Sequence, residues 1–121
     1  MIHEAYVSFE IAKLLKEKGF DEPCYMSYWL RTKDNIELAH LEQHCNNYSD
    51  CMCAPTLQMT CAWLREVHNI DIIIFHEKLP NDCYWARIER NLSTEFEQEP
   101  EYNSYEEAAE AAIEYSLENL I

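Results

Sequence analysis

Apolar positions recur at Ile11, Leu14 and Leu15 between Ser8 and Gly19, the three-to-four spacing of a helix with one buried face. Ser8 offers an N-cap, and Gly19, the chain's single glycine, suits the left-handed residue that ends a helix, with Phe20 folding back on it. The pattern predicts a helix over residues 9–18. A second helix is expected from Pro55 or Thr56 through Met59, Ala62, Trp63 and Val67, with Asn69 as its C-cap. A third runs from Ser104 to about Asn119, where Ser104 and Glu107 form a capping box. Tyr105, Ala108, Ala109, Ala112, Ile113, Leu117 and Leu120 then share its inner face.

Between these helices the period changes. Ile70, Ile72, Ile73, Ile74 and Phe75 form a β-branched and aromatic run with strand character, Leu79-Pro80-Asn81-Asp82 reads as a turn, and residues 83–89 return as the partner strand. Residues 24–30 are aromatic enough for a strand, Asn35 is placed to cap a short helix reaching about His44, and residues 46–50 read as a loop. The expected fold class is α+β in one domain, residues 1–121: three principal helices packed on a small antiparallel sheet centred on the 70–90 hairpin. Trp63, Val67, Ile72, Ile74, Trp85, Ile88, Ala112 and Leu117 are expected to meet in the core.

Composition narrows the function classes. A chain of 121 residues, 48% of them hydrophobic, is long and apolar enough to bury a core without crosslinks. Its net charge of −14 opposes binding to nucleic-acid phosphates and to anionic membranes. No apolar stretch has the length of a membrane span, and the N-terminus lacks the basic and apolar regions of a signal peptide. A cytoplasmic protein is expected, with its six cysteines as reduced thiols or metal ligands rather than disulfides.

The charge is concentrated at one end. Residues 92–121 hold nine glutamates and no lysine or arginine. Glu95, Glu97, Glu99 and Glu101 fall at every second residue, so an extended chain places them on one face about 6.6 Å apart, an interval resembling that of phosphates along a nucleic-acid strand. Glu107, Glu110, Glu114 and Glu118 recur at three and four residues, a single-sign row about 16 Å long on a helix. Like charges at that spacing destabilise a helix by a few tenths of a kcal/mol each. A solvated, solubilising face explains such rows; a surface that imitates nucleic acid and occupies a cationic groove is the sharper alternative.

Other constellations are weaker. His40, His44, Cys45, Cys51 and Cys53 raise zinc, with His40, Cys45, Cys51 and Cys53 as the candidate set, but Cys51-Met52-Cys53 is C-x-C and no second pair follows. His40-Leu41-Glu42-Gln43-His44 has its Glu in the third place, unlike the zinc-protease motif. No metal or other cofactor is expected. A single glycine at a helix end leaves no phosphate-cradling loop, no Ser or Cys stands in a nucleophile elbow, and exposed carboxylate rows are the opposite of a paired acid and base in a cleft. Enzyme activity is not expected. Tyr25, Tyr28, Trp29 and Tyr84 are candidates to line a pocket for a nucleotide or another planar ligand. The helix and hairpin over residues 55–90 have the outline of a recognition helix and wing, yet Arg65 is the helix's only basic residue and Glu66 stands beside it.

Three segments carry a resemblance: Val7-Ser8-Phe9-Glu10-Ile11-Ala12-Lys13-Leu14-Leu15, residues 54–59 with 63–70, and residues 102–108 with 117–121. They resemble small uncharacterised proteins encoded by phages and prophages of Bacteroidetes, over about half the chain. The resemblance implies a genomic setting in which small acidic proteins disarm host nucleases. The expected function is a non-enzymatic inhibitor, anti-CRISPR-like or anti-restriction, that acts in the host cytosol. It would bind a basic nucleic-acid-handling protein such as a nuclease effector, without contacting nucleic acid or membrane. The alternatives are a nucleotide-binding module with an aromatic pocket and a degenerate winged-helix interaction protein.

Overall fold

The computed structural model describes residues 2–32, 35–43, 46 and 49–121. It is an α+β fold whose chain divides into two compact units, Met1–Thr56 and Leu57–Ile121. The strands form two antiparallel three-stranded sheets, one per unit, rather than the one sheet expected.

In the first unit, α1 spans Phe9–Glu17. The Ser8 hydroxyl accepts the Ile11 amide at 3.3 Å. Gly19 sits at φ +90°, and the amides of Gly19 and Phe20 donate back to the carbonyls of Lys16 and Leu15 at 3.2 and 2.9 Å. This double closure leaves Phe20 1% exposed, and Val7, Ile11, Ala12 and Leu15 of the same unit are buried too. Strand β1, Cys24–Thr32, lies between β2, Asn35–Gln43, and the short β3, Cys51–Cys53. Lys16 donates through Nζ to the Cys51 carbonyl at 2.9 Å, tying α1 to β3.

Residues 35–43 are strand, not the helix that Asn35 suggested. The register explains the outcome: Leu38 lies opposite Tyr28, Ile36 opposite Leu30 and His40 opposite Met26. Apolar side chains therefore meet across the ladder, and Ile36, Leu38 and Ala39 at mixed spacing follow the pairing partner rather than a local helical preference. His40 and His44 consequently do not stand one helical turn apart; His44 and Cys45 lie outside the described residues. Residues 51–53, too short to show a period, form a strand because β1 offers them an edge, with Ser27 opposite Cys53 and Trp29 opposite Cys51.

In the second unit, α2, Leu57–His68, leads into β4, Ile70–Glu77, through Asn69 at φ 57°. Strands β4, β5, Cys83–Arg90, and β6, Ser93–Glu97, follow in sequence order, and α3, Tyr105–Asn119, ends the fold. The hairpin is in continuous register from Ile70 opposite Arg90 to Glu77 opposite Cys83. Trp63, Ile88, Ala112 and Leu117 are buried as expected, with Ile70, Ala86, Ala108 and Ile113 beside them. Val67 is instead 56% exposed, because the buried face of α2 runs through Leu57, Thr60, Trp63 and Leu64 and the chain leaves the helix after His68. Ile72, Ile74 and Trp85 are only half-buried, and Tyr105 in the first turn of α3 is exposed rather than on its inner face. No helix among the described residues is long and apolar enough to cross a membrane.

Candidate functional site

The acidic surface follows from the burial of α3. Ala108, Ala109, Ala112, Ile113, Ser116 and Leu117 are buried, so Glu107, Glu114 and Glu118 are exposed and Glu110 is half-buried. The Ser104 hydroxyl accepts the Glu107 amide at 3.1 Å, and the Glu107 carboxylate accepts the Asn103 amide at 3.1 Å. Glu107 therefore serves the helix start, where a carboxylate complements the positive end of the helix dipole. At the other end, where α3 has no basic residue of its own, Arg90 of β5 donates through Nη1 to the Leu120 carbonyl at 2.8 Å.

The strand row is interrupted. Strand β6 ends at Glu97, and the ladder slips between Ile88 and Glu89, so the segment holding Glu95 is offset from that holding Glu97. Glu97 lies opposite Arg87, and Glu95 faces Arg90 Nε at 3.4 Å. Gln98 then turns inward to 7% exposure. Its backbone amide donates to the Ala86 carbonyl at 2.9 Å, its Oε1 accepts the Ala86 amide at 2.7 Å, and its Nε2 donates to the Ala108 carbonyl at 3.1 Å. Burial of Gln98 ends the two-residue alternation, and Glu99 and Glu101 lie exposed on the connection to α3. The four carboxylates of 95–101 do not make one straight row, whereas the four of α3 keep their helical spacing.

A second feature is a groove of about 580 Å³ lying between α2 and α3 over β4. Ile72 and Ile74 form its floor, Leu57, Cys61 and Ala62 one wall, and Tyr105 and Ala109 the other, with Gln58 and Arg65 also lining it. Burial pushes the Cys61 thiol up to about 11, and the Arg65 guanidinium opposes that rise. A charge that acts on a thiol inside the groove stands at its edge. The sequence pattern assigns Ala62, Ile72, Ile74, Tyr105 and Ala109 to helix faces and core rather than to a groove; the one local sign of it is small side chains, Cys61, Ala62 and Ala109, on helix faces that meet isoleucines.

Of the zinc candidates, His40, Cys51 and Cys53 fall among the described residues and Cys45 does not. His40 packs its ring against Tyr25, with centroids 4.0 Å apart. Cys51 is disulfide-bonded, which overturns the expectation of reduced thiols throughout. Cys24 and Cys53 are buried free thiols, both donating to the Glu22 carbonyl, at 3.5 and 3.7 Å. The side-chain hydrogen bond with Cys53 together with burial holds the Cys24 thiol far above the ordinary cysteine range, the opposite of the lowered value that activates a nucleophile. Among the described residues no three His, Cys, Asp or Glu side chains converge as a metal site would require.

The aromatic candidates are not brought to the groove. Tyr28 donates its hydroxyl to the Val7 carbonyl at 2.7 Å and meets Phe9 edge to face. Tyr84 stacks on His76 with ring centroids 4.0 Å apart. Tyr25, Tyr28 and Trp29 belong to the first unit and Tyr84 to the second. No protein family, curated protein or solved structure matches this chain.

Proposed function

We propose that this chain is a non-enzymatic protein-binding module whose α3 carboxylates engage a cationic nucleic-acid-handling protein. Its concrete form is a phage-encoded inhibitor of the anti-CRISPR or anti-restriction kind, acting inside the host cell. The observation that carries the reading is the outward row Glu107, Glu110, Glu114 and Glu118 on a helix whose opposite face is buried. A capped helix holds four charges in fixed register over about 16 Å, and Lys and Arg lining a guide or substrate channel are spaced to meet such a row. Attraction between opposite fields speeds encounter and makes it sensitive to salt.

The test is capture from a host lysate at low and high salt, followed by competition. The captured protein should be basic and should handle nucleic acid, and added DNA or RNA should displace this chain from it. Changing Glu107, Glu110, Glu114 and Glu118 together to Gln should weaken capture and flatten its salt dependence. A partner that nucleic acid does not displace, or wild-type affinity and salt slope in the quadruple variant, overturns the proposal.

A further inference from the structure

The groove between α2 and α3 is separate from the glutamate row, and its chemistry is different. Its floor is the pair Ile72 and Ile74, half-exposed on the edge strand β4 although they face the helices. The walls that cross this floor carry Cys61, Ala62 and Ala109, side chains too short to fill the space above it. Close packing is the norm in protein interiors, and aliphatic surface left uncovered loses contacts. A volume of about 580 Å³ lies within the roughly 300–1,000 Å³ of sites that take small molecules.

Two observations select the ligand. Tyr105 is the one aromatic residue of the lining, so no pair of ring faces stands ready to sandwich a planar group; a flexible acyl chain fits Leu57, Ala62, Ile72, Ile74 and Ala109 better than a base. Arg65 is the only cation of the lining, in a unit with four basic and fourteen acidic side chains. It stands one turn after Cys61, close enough to favour that thiol's ionised form against the effect of burial. Its ion pair with Glu66 on the same helix is long, 3.9 Å, and exposed on both sides, an arrangement of little strength. A guanidinium lining a groove with an isoleucine floor matches a carboxylate at the end of an acyl chain. We infer that the groove binds a medium-chain acyl carboxylate, with the chain over Ile72 and Ile74 and the head group on Arg65.

The experiment is titration of the full chain with decanoic acid, decanol and acetate, followed by amide spectra and calorimetry. Decanoate should saturate at one equivalent and shift the amides of Cys61, Ala62, Arg65, Ile72 and Ile74, while acetate should not bind. Arg65→Gln, at an exposed position, should weaken decanoate about tenfold or more, as expected for loss of a charge-assisted contact, and leave decanol unchanged. Ala62→Leu, which extends into the trough, should weaken both decanoate and decanol; circular dichroism establishes that each variant is folded. No saturable binding of decanoate overturns the inference, as does saturation that neither variant alters. Tighter binding of an aromatic carboxylate or of an aliphatic helical peptide than of decanoate overturns the assignment of the ligand class.

Discussion

The two units are built from different kinds of connection. In residues 1–56 the polar ties run between segments distant in sequence: Lys16 to the Cys51 carbonyl, Tyr28 to the Val7 carbonyl, and Asn46, whose side chain joins the Phe20 carbonyl to the Cys53 amide at 2.7 and 2.9 Å. In residues 57–121 most of the pattern is local, a helix running straight into a hairpin in unbroken register and a final helix closed by its own capping box. Charge divides the same way. The first unit has five basic and nine acidic side chains, the second four and fourteen. A unit assembled from local signals can carry a heavy burden of like charge on its outer face, because its folding does not depend on that face.

Arg90 and Gln98 make the longer-range ties of the second unit, and replacing Gln98 should break the contrast most severely. Gln98→Ala leaves the Ala86 amide buried and unpaired, worth about 1–3 kcal/mol, and removes the tie to the Ala108 carbonyl, which keeps its bond within α3. A loss of about 2 kcal/mol is expected in urea unfolding, with amide protection falling across residues 83–90 and 105–117 and persisting at 24–29. Equal loss of protection in both units would show that they unfold as one.

The next effect in size is a pH dependence. The Cys61 thiol is raised from 9.0 to about 11 in the folded chain, so between those values the unfolded chain loses a proton that the folded chain keeps. Stability from this group is fully present below pH 9 and declines as pH rises toward 11. Cys61→Ala should remove that component of the alkaline slope. In the folded protein, alkylation of Cys61 should be slow at pH 8, where about one thiol in a thousand is ionised. Rapid alkylation at pH 8 would mean the groove is more open to water than its geometry indicates.

Gly19→Ala probes the first unit at its most local point. Nothing stands within 4 Å of an added Cβ, so the cost is backbone strain alone, about 1–2 kcal/mol at φ +90°. Thermal unfolding should register it, and a smaller loss than Ser104→Ala, itself about 1 kcal/mol, would mean that the turn after α1 relaxes. The smallest effect belongs to the glutamates: converting the α3 row to Gln should change stability by only a few tenths of a kcal/mol per pair. Relief of repulsion favours the variant, while loss of the Glu107 contact to Asn103 opposes it.

What was legible in the sequence follows the same division. Helices α1 and α3 were readable because Ser8, Gly19, Ser104 and Glu107 mark their ends by side-chain and backbone chemistry that operates within three or four residues. The hairpin was readable because a β-branched run, a turn and an aromatic run follow one another. Strand β2 was not, since the residues that settle its conformation are on β1, and Ile36, Leu38 and Ala39 fit either period until Tyr28 and Leu30 are placed beside them. The glutamates could be counted along the chain, but the inward turn of Gln98 that ends their alternation depends on Ala86 and Ala108, and a glutamine among four glutamates gives no local sign of burial. The groove arises where three elements meet, which no one segment reveals.

Arg90 gives the acidic helix a direction. The final thirty residues contain no cation, yet the guanidinium that reaches the Leu120 carbonyl places one at the far end of α3, with Glu95 on its other side. Sequence distance thus conceals a difference between the two ends of the helix: its first turn carries Glu106 and Glu107, and its last carbonyls meet Arg90. A row with unlike ends has a head and a tail. A cationic surface with its own uneven charge would accept it in one polarity and resist the reverse, so Arg90, without meeting a partner, would fix which way round the helix is read.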